Sequence, residues 1–214
     1  MAMNSREQIL AKLRQAKRPF PDSVPAAEFL PMIPILDRSP AALRDLFVTE
    51  AQKAACVIHQ VESPEAVIGT ILTLIGQDTA ISSWDLEHMP VPGLADALAN
   101  ANVTCLGQDA TVRVGLTGVD AALAATGSIV VMSGNGRYRA ASLLPPVHIA
   151  VIHTNQIQSD LESWLKEQKE SGLERTRQHS NIVIVTGPSR TADIAMQLVM
   201  GMHGPRELHL VLFG

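Results

Sequence analysis

Apolar positions along the chain fall into two alternating patterns. From Ser39 onward, stretches with apolar residues at helical spacing are separated by short runs that are apolar throughout. Pro40 at a helix first turn opens a helix running to about Ala55, and Cys56 to Val61 reads as a buried strand. Ser63-Pro64-Glu65 starts the next helix, whose Val67, Ile71, Leu74 and Ile75 recur at i, i+4, i+7 and i+8 before Gly76 stops it. Thr79 to Trp84 predicts a strand, Gly93 to Asn100 a helix, and Val103 to Leu106 and Ile129 to Met132 two further strands. Val147 to His153, Asn181 to Thr186 and Leu208 to Phe213 complete the strands, with helices expected over Ile157 to Glu170 and Thr191 to Met202. Strands that are apolar on both faces and alternate with helices imply an α/β fold, a mostly parallel sheet with helices on both faces. In such a sheet, ligands bind beyond the carboxyl ends of the strands.

The first 39 residues break the pattern. Arg6, Lys12, Arg14, Lys17 and Arg18 against Glu7 give residues 1 to 20 a charge of 5 − 1 = +4 in a chain of net −4, leaving −8 on the rest. Ile9, Leu10 and Leu13 form a narrow apolar stripe on a short helix, with capping-box spacing from Ser5 to Gln8. Pro19, Pro21, Pro25, Pro31, Pro34 and Pro40 then read as an extended linker. The expected division is therefore a basic helix and linker over 1–39 and an α/β domain over 40–214. The basic helix reads either as a solvated or packed arm or as a docking arm for a partner.

At 214 residues and 46% apolar composition the chain can bury a core without disulfides. Net acidic charge and only seven aromatic residues argue against nucleic acid as a partner. No apolar run approaches the length of a membrane span, and no apolar region follows the N-terminal charges, so a cytoplasmic protein is expected. Cys56 and Cys105 cannot supply the four thiolates of an iron-sulfur cluster, so none is expected to be held by this chain alone. No zinc-hydrolase, phosphate-loop, dinucleotide or nucleophile-elbow spacing occurs.

Two segments carry candidate chemistry. In the first, the Asn181 to Thr186 strand passes through Gly187, Pro188, Ser189, Arg190, Thr191 and Asp193 into the expected helix. Free backbone N–H groups, two hydroxyls and a helix dipole would converge there on an anion, with Arg190 adding a bidentate contact. The plainer alternative makes Ser189 or Thr191 a helix cap and Arg190 the partner of an acidic neighbour. The second segment runs from Gly118 and Asp120 through Thr126, Gly127 and Ser128 to Ser133-Gly134-Asn135-Gly136-Arg137-Tyr138-Arg139. It reads as a mobile polar loop with Arg137 as a binding candidate, or as a plain turn. His203, between Gly201 and Gly204, is a further ligand candidate, with a role at a helix C-terminus as the alternative.

Thr126 to Val131, Ser142 to Ile149, Thr186 to Ile194 and Gly201 to Pro205 resemble the lactate utilization protein C family, whose domain is the LUD domain. The resemblance spans about residues 40 to 214. It implies a fold similar to the sugar-phosphate isomerase and coenzyme A transferase superfamily. It also implies a role, with two iron-sulfur partner proteins that hold the clusters, in oxidising L-lactate to pyruvate. Where relatives carry an acid before the Thr-Gly-Ser step, this chain has Ala125, which weakens a covalent-catalysis reading. The expected function is a subunit binding an anionic small molecule or a partner. The alternative is a free-standing enzyme acting on acyl or sugar-phosphate substrates.

Overall fold

The structure is a computed structural model and describes residues 5–16, 33–109, 111–192 and 198–214. Contacts divide the chain into residues 1–32 and 33–214. The described part of the first unit is helix α1 (Ser5–Gln15), which buries no residue and exposes Ile9 and Leu13. Much of the expected proline linker, residues 17–32, lies outside the described residues.

In the second unit, α2 (Pro40–Lys53) and α3 (Pro64–Ile75) begin in the same way, with Pro at the first turn and a serine before it. The Ser39 hydroxyl accepts the Ala42 N–H and the Ser63 hydroxyl that of Ala66, each satisfying a donor the first helical turn leaves free. Phe47 and Ala51 of α2, and Val67, Ile71 and Ile75 of α3, are buried, as their spacing requires. Strands β1 (Val57–Gln60), β2 (Ala80–Ser83) and, after α4 (Leu94–Asn100), β3 (Thr104–Leu106) lie where the apolar runs place them. β4 (Val114–Gly118), β5 (Ala121–Leu123) and β6 (Ser128–Ser133) follow in quick succession. After α5 (Ala140–Leu143) come β7 (Val147–His153) and β8 (Ile157–Gln158). Helices α6 (Leu161–Glu170) and α7 (Glu174–Gln178) lead to β9 (Asn181–Val185), β10 (Arg190–Ala192), β11 (Leu198–Met200) and β12 (Glu207–Phe213).

Six strands form one parallel sheet in the order β1-β12-β7-β4-β2-β3. This is the α/β architecture expected. A second sheet, β8-β5-β6-β9, is antiparallel at β5-β6 and β6-β9. The Ile129 and Asn181 runs therefore belong to this sheet, separate from the parallel one. β9 lies at its edge with alternating burial, which leaves Ile182 and Ile184 exposed. Cys56 precedes β1 and is buried, whereas β1 itself is a half-exposed edge strand.

Three expectations change. The helix predicted from Ile157 begins only at Leu161, because Asp160 takes the Ser163 N–H as an N-cap and Ile157–Gln158 pairs with β5. The helix predicted over Thr191 to Met202 is absent at both its ends: β10 and β11 pair antiparallel, Arg190 with Met200 and Thr191 with Val199. The central strand β4 escapes the apolar-run reading because Gly115, Thr117 and Gly118 dilute it, although all five positions are buried.

Candidate functional site at the carboxyl edge of the sheet

The parallel strands β2 and β4 end side by side, and the chain leaving each supplies part of one cluster. Beyond β4, the Asp120 N–H donates to the Val130 carbonyl, and Asp120 Oδ2 accepts the Met132 N–H at 2.7 Å. Its side chain is 1% exposed. Beyond β6, Gly134 and Arg137 exchange two backbone hydrogen bonds of 3.1 Å, closing the Gly-Asn-Gly turn. The Asp85 N–H, just past β2, donates to the Gly136 carbonyl at 2.7 Å. Gly136 has φ +68°, and a Cβ there would lie 2.6 Å from Asp85 Oδ2 and 2.7 Å from His88 Nε2. Only glycine combines that conformation with that approach. Of the two readings of this segment, a mobile polar loop or a plain turn, the structure has the turn, anchored at Asp85.

Anchoring turns Arg137 inward. Its guanidinium lies 4.0 Å over the Trp84 ring, with Nη2 donating to Asp120 Oδ1 at 2.9 Å and Nη1 to His179 Nε2 at 2.7 Å. Arginine cannot accept, so His179 presents a bare Nε2 to it and carries its proton on Nδ1, 2.6 Å from the Arg175 carbonyl. Arg175 Nη2 approaches the same Asp120 oxygen at 3.6 Å, beyond hydrogen-bond reach, and its side chain is 57% exposed. Arg137 is therefore a cation fixed through Nη1 and Nη2, with its buried Nε left without a partner, whereas Arg175 is a mostly exposed cation with donors to give.

Two cavities meet at the Asp120–Arg175 pair. An outer one of about 590 Å³ opens past His88, Asn135, Arg137 and His179. An inner one of about 220 Å³ runs past Gln158, Trp164, Glu167 and Gln168. Gln156 borders both and is held rigid, its Nε2 donating to the Val119 carbonyl and its Oε1 accepting the His153 N–H.

The remaining sequence candidates among the described residues lie at the opposite edge. Arg206, just before β12, donates its N–H to the carbonyl of Pro146, just before β7, which places this segment at the amino ends of the strands. The Ser189 N–H donates to the Pro205 carbonyl at 2.8 Å, and the His203 N–H to Ser189 Oγ at 3.3 Å. Arg190 Nη2 donates to the Ala54 carbonyl at 2.9 Å, closing the C-terminus of α2. Gly187 (φ +80°) and Gly127 (φ +63°) pack against the α2 backbone at Ala54 and Ala51. Thr126, Ser128 and Thr186 form a hydroxyl chain with two 2.7 Å links. Thr191 is paired in β10, and Asp193 lies outside the described residues. With β10 and β11 at the two ends of the expected helix, no helix dipole faces Gly187 to Thr191 among the described residues.

Of the nine candidates among the described residues, the structure brings only Arg137 to the carboxyl edge. Asp120 lies within the second segment without standing among its ligand candidates; a single acid inside the apolar stretch from Val119 to Ala125 is the available signal. Nothing in the polar text around Arg175 marks it.

Away from this site, burial pushes His148 down to about 4, its Nε2 meeting Thr117 Oγ1 at 2.8 Å, and burial raises the Cys56 thiol to about 11. His59 Nε2 meets His209 Nδ1 at 3.0 Å, and His209 Nε2 meets Glu207 at 3.2 Å. Among the described residues, no group of three or more His, Cys, Asp or Glu side chains is placed to hold a metal, and no helix is long and apolar enough to cross a membrane.

A six-stranded parallel sheet with a second, smaller sheet and a cavity at its carboxyl edge defines an α/β domain. The chain belongs to the LUD-domain family, whose profile matches residues 44–213. It is 31% identical over 179 residues to lactate utilization protein C of Shouchella clausii, covering 77% of each chain. It is 42% identical over 132 residues to lactate utilization protein C of Geobacillus sp. strain WCH70, covering 59% of this chain and 51% of that one. The match to lactate utilization protein C of Halalkalibacterium halodurans, 39% identical, covers 46% of this chain and 44% of that one. The chain thus spans about half the length of these last two relatives. Its fold resembles the crystal structure of a DUF162 family protein from Deinococcus radiodurans, with a TM-score of 0.60 and 21% identity, over 83% of this chain and all of that one.

Proposed function

We propose that this protein serves lactate utilization as an anion-binding subunit of an assembly oxidising L-lactate to pyruvate, with iron-sulfur clusters confined to two partner proteins. The relatives' names supply the process. The observation that carries the binding role is Arg175, an exposed guanidinium held beside a buried Asp120–Arg137 pair at the mouth of a cavity. A carboxylate entering there meets free donors on Arg175 and the fixed positive charge of Arg137. The two carboxylates lining the cavities are already engaged, Asp120 by Arg137 and Glu167 by Gln158, which favours binding over nucleophilic attack from either.

Calorimetric titration with L-lactate tests this reading. Arg175→Ala should weaken binding by about 10- to 100-fold, the effect of losing a hydrogen bond to a charged group, with an unchanged melting temperature. Equal affinity in the variant and the parent rejects the site. The assembly itself is tested by co-purification with the two partner proteins, before and after removal of residues 1–32.

A further inference from the structure

The second sheet ends in an edge that the anion site does not use. β9 is its outermost strand, and on the side away from β6 its backbone groups pair with no strand among the described residues. Proteins guard such edges by keeping them short or by placing charges or proline on them. β8, at the other edge of the same sheet, has two residues, whereas β9 has five, Asn181-Ile-Val-Ile-Val185, with neither charge nor proline. Ile182 and Ile184 stand opposite Met132 and Val130 in the ladder, on the apolar face that Trp164 of α6 packs against, and both are exposed. The flank of α6 on that side continues the patch. Glu167 meets Gln158 of β8 at 2.9 Å on one flank, and Leu165, about 160° round the helix from it, leans the other way, toward β9, and is exposed. Glu162 and Lys169 share the stripe of Leu165, three residues before it and four after. Lys166 reaches Glu170 at 3.9 Å, whereas the Glu162 carboxylate and the Lys169 ammonium, both on exposed residues, have no partner among the described residues.

We propose that β9 is the interface between two copies of this chain, which join edge to edge about a two-fold axis at Val183 and make one continuous sheet of their two smaller ones. The occupant is a second copy because the strand and the rim of α6 beside it each complement themselves. Antiparallel pairing about Val183 sets Ile182 opposite Ile184 of the other copy and Ile184 opposite its Ile182, so that the isoleucines cover one another on one face. The same axis runs the two copies of α6 antiparallel. With Leu165 near the middle of the stripe, Glu162 of each copy then lies toward Lys169 of the other. A strand from an unrelated protein satisfies the backbone edge but matches neither the isoleucines nor this charge order. The contact is small beside the roughly 800 Å² per partner of a standard interface, which makes the dimer a reversible one.

Sedimentation velocity on the full chain tests this, with monomer expected to give way to dimer between about 1 and 100 µM. Ile184→Lys puts a charge on an exposed edge position and should abolish the dimer while the monomer keeps its melting temperature. Lys169→Glu sets Glu162 of one copy against a like charge on the other and should weaken association by at least about tenfold. Adding Glu162→Lys to that variant should restore the parent affinity, because the reversed pair attracts again across the axis. A chain that stays monomeric at about 100 µM overturns the proposal and leaves the edge to a strand of another protein. A dimer indifferent to Ile184→Lys or to Lys169→Glu, or weakened by the latter without rescue in the double variant, places the contact elsewhere and overturns it as well.

Discussion

The two edges of the parallel sheet use the same residue types to opposite ends. At the carboxyl edge a glycine turn lies against Asp85 and His88 and delivers Arg137 onto a buried aspartate beside a cavity. At the amino edge Gly127 and Gly187 lie against α2, and Arg190 spends a donor on the carbonyl of Ala54. Glycine next to arginine marks close backbone approach in both places. What separates a site from a joint is the arginine's partner. A buried carboxylate with room beside it makes a charged pocket, whereas a helix carbonyl makes a cap.

The largest effect should come from the joint. A Cβ on Gly187 would fall onto the Ala54 carbonyl in a backbone conformation that already disfavours L side chains. Gly187→Ala should therefore cost at least about 4 kcal/mol or prevent folding, among the most severe single substitutions. Gly172 also has positive φ (+77°) but nothing within 4 Å of its would-be Cβ. Gly172→Ala should cost only the backbone preference, about 1 to 2 kcal/mol. Urea denaturation of the two variants separates close packing from conformation, and equal losses would refute the contact with α2.

Next in size is the site's own pair. Arg137→Ala strands the Asp120 carboxylate, whose side chain is 1% exposed, without its counter-ion. Breaking a buried pair from one side costs about 3 to 5 kcal/mol. Arg175→Ala removes a mostly exposed cation 3.6 Å from the same oxygen and should leave stability within about 1 kcal/mol. A large loss in stability at Arg175 would mean that the two arginines are not divided into a fixed and a free one.

What was legible in the sequence follows the same division. Continuous apolar runs gave β7 with its observed limits and β12 to within one residue, because a parallel strand buried on both faces has no polar side to show. β4 was hidden because its glycines and threonine make a central strand look like a loop. The Thr191 to Met202 stretch reads as a helix by its local spacing, whereas Arg190–Ala192 and Leu198–Met200 pair as antiparallel strands. Local spacing carries no information about the antiparallel pairing of Arg190 with Met200. Among site residues, Arg137 stood out by its glycines. Asp120 and Arg175 reach it from 17 residues before and 38 residues after, a convergence that only the tertiary fold supplies.

Between the two edges lies a group that should report on the sheet as a whole. Neutral His148 is fully buried, its pKa lowered from 6.5 to about 4 by burial. The unfolded chain binds this proton more readily than the native one, so His148 contributes stability that is full above about pH 6.5 and lost as pH falls through about 4. A shift of this size corresponds to roughly 3 kcal/mol. Denaturation midpoints between pH 7 and 4 should fall accordingly, and His148→Gln should flatten the slope. An unchanged slope in the variant would assign the acid sensitivity to other groups.

The smallest expected effect is the one that decides between the edges. Arg190 lies in a three-residue strand at the amino edge and gives one hydrogen bond to a carbonyl at the end of α2. That bond is solvent-exposed, and a typical net contribution is about 1 kcal/mol. Arg190→Ala should therefore lower the melting temperature by a few degrees at most and leave the affinity for L-lactate untouched. The converse result would be a weakened affinity at constant melting temperature, with Arg175→Ala silent. It would move the anion to Ser189 and His203 and show that the amino edge, with its glycines against α2, is the site after all. Running both variants against the same ligand turns a difference of about 1 kcal/mol in stability into a choice between two ends of one sheet, because no residue placed here reaches both.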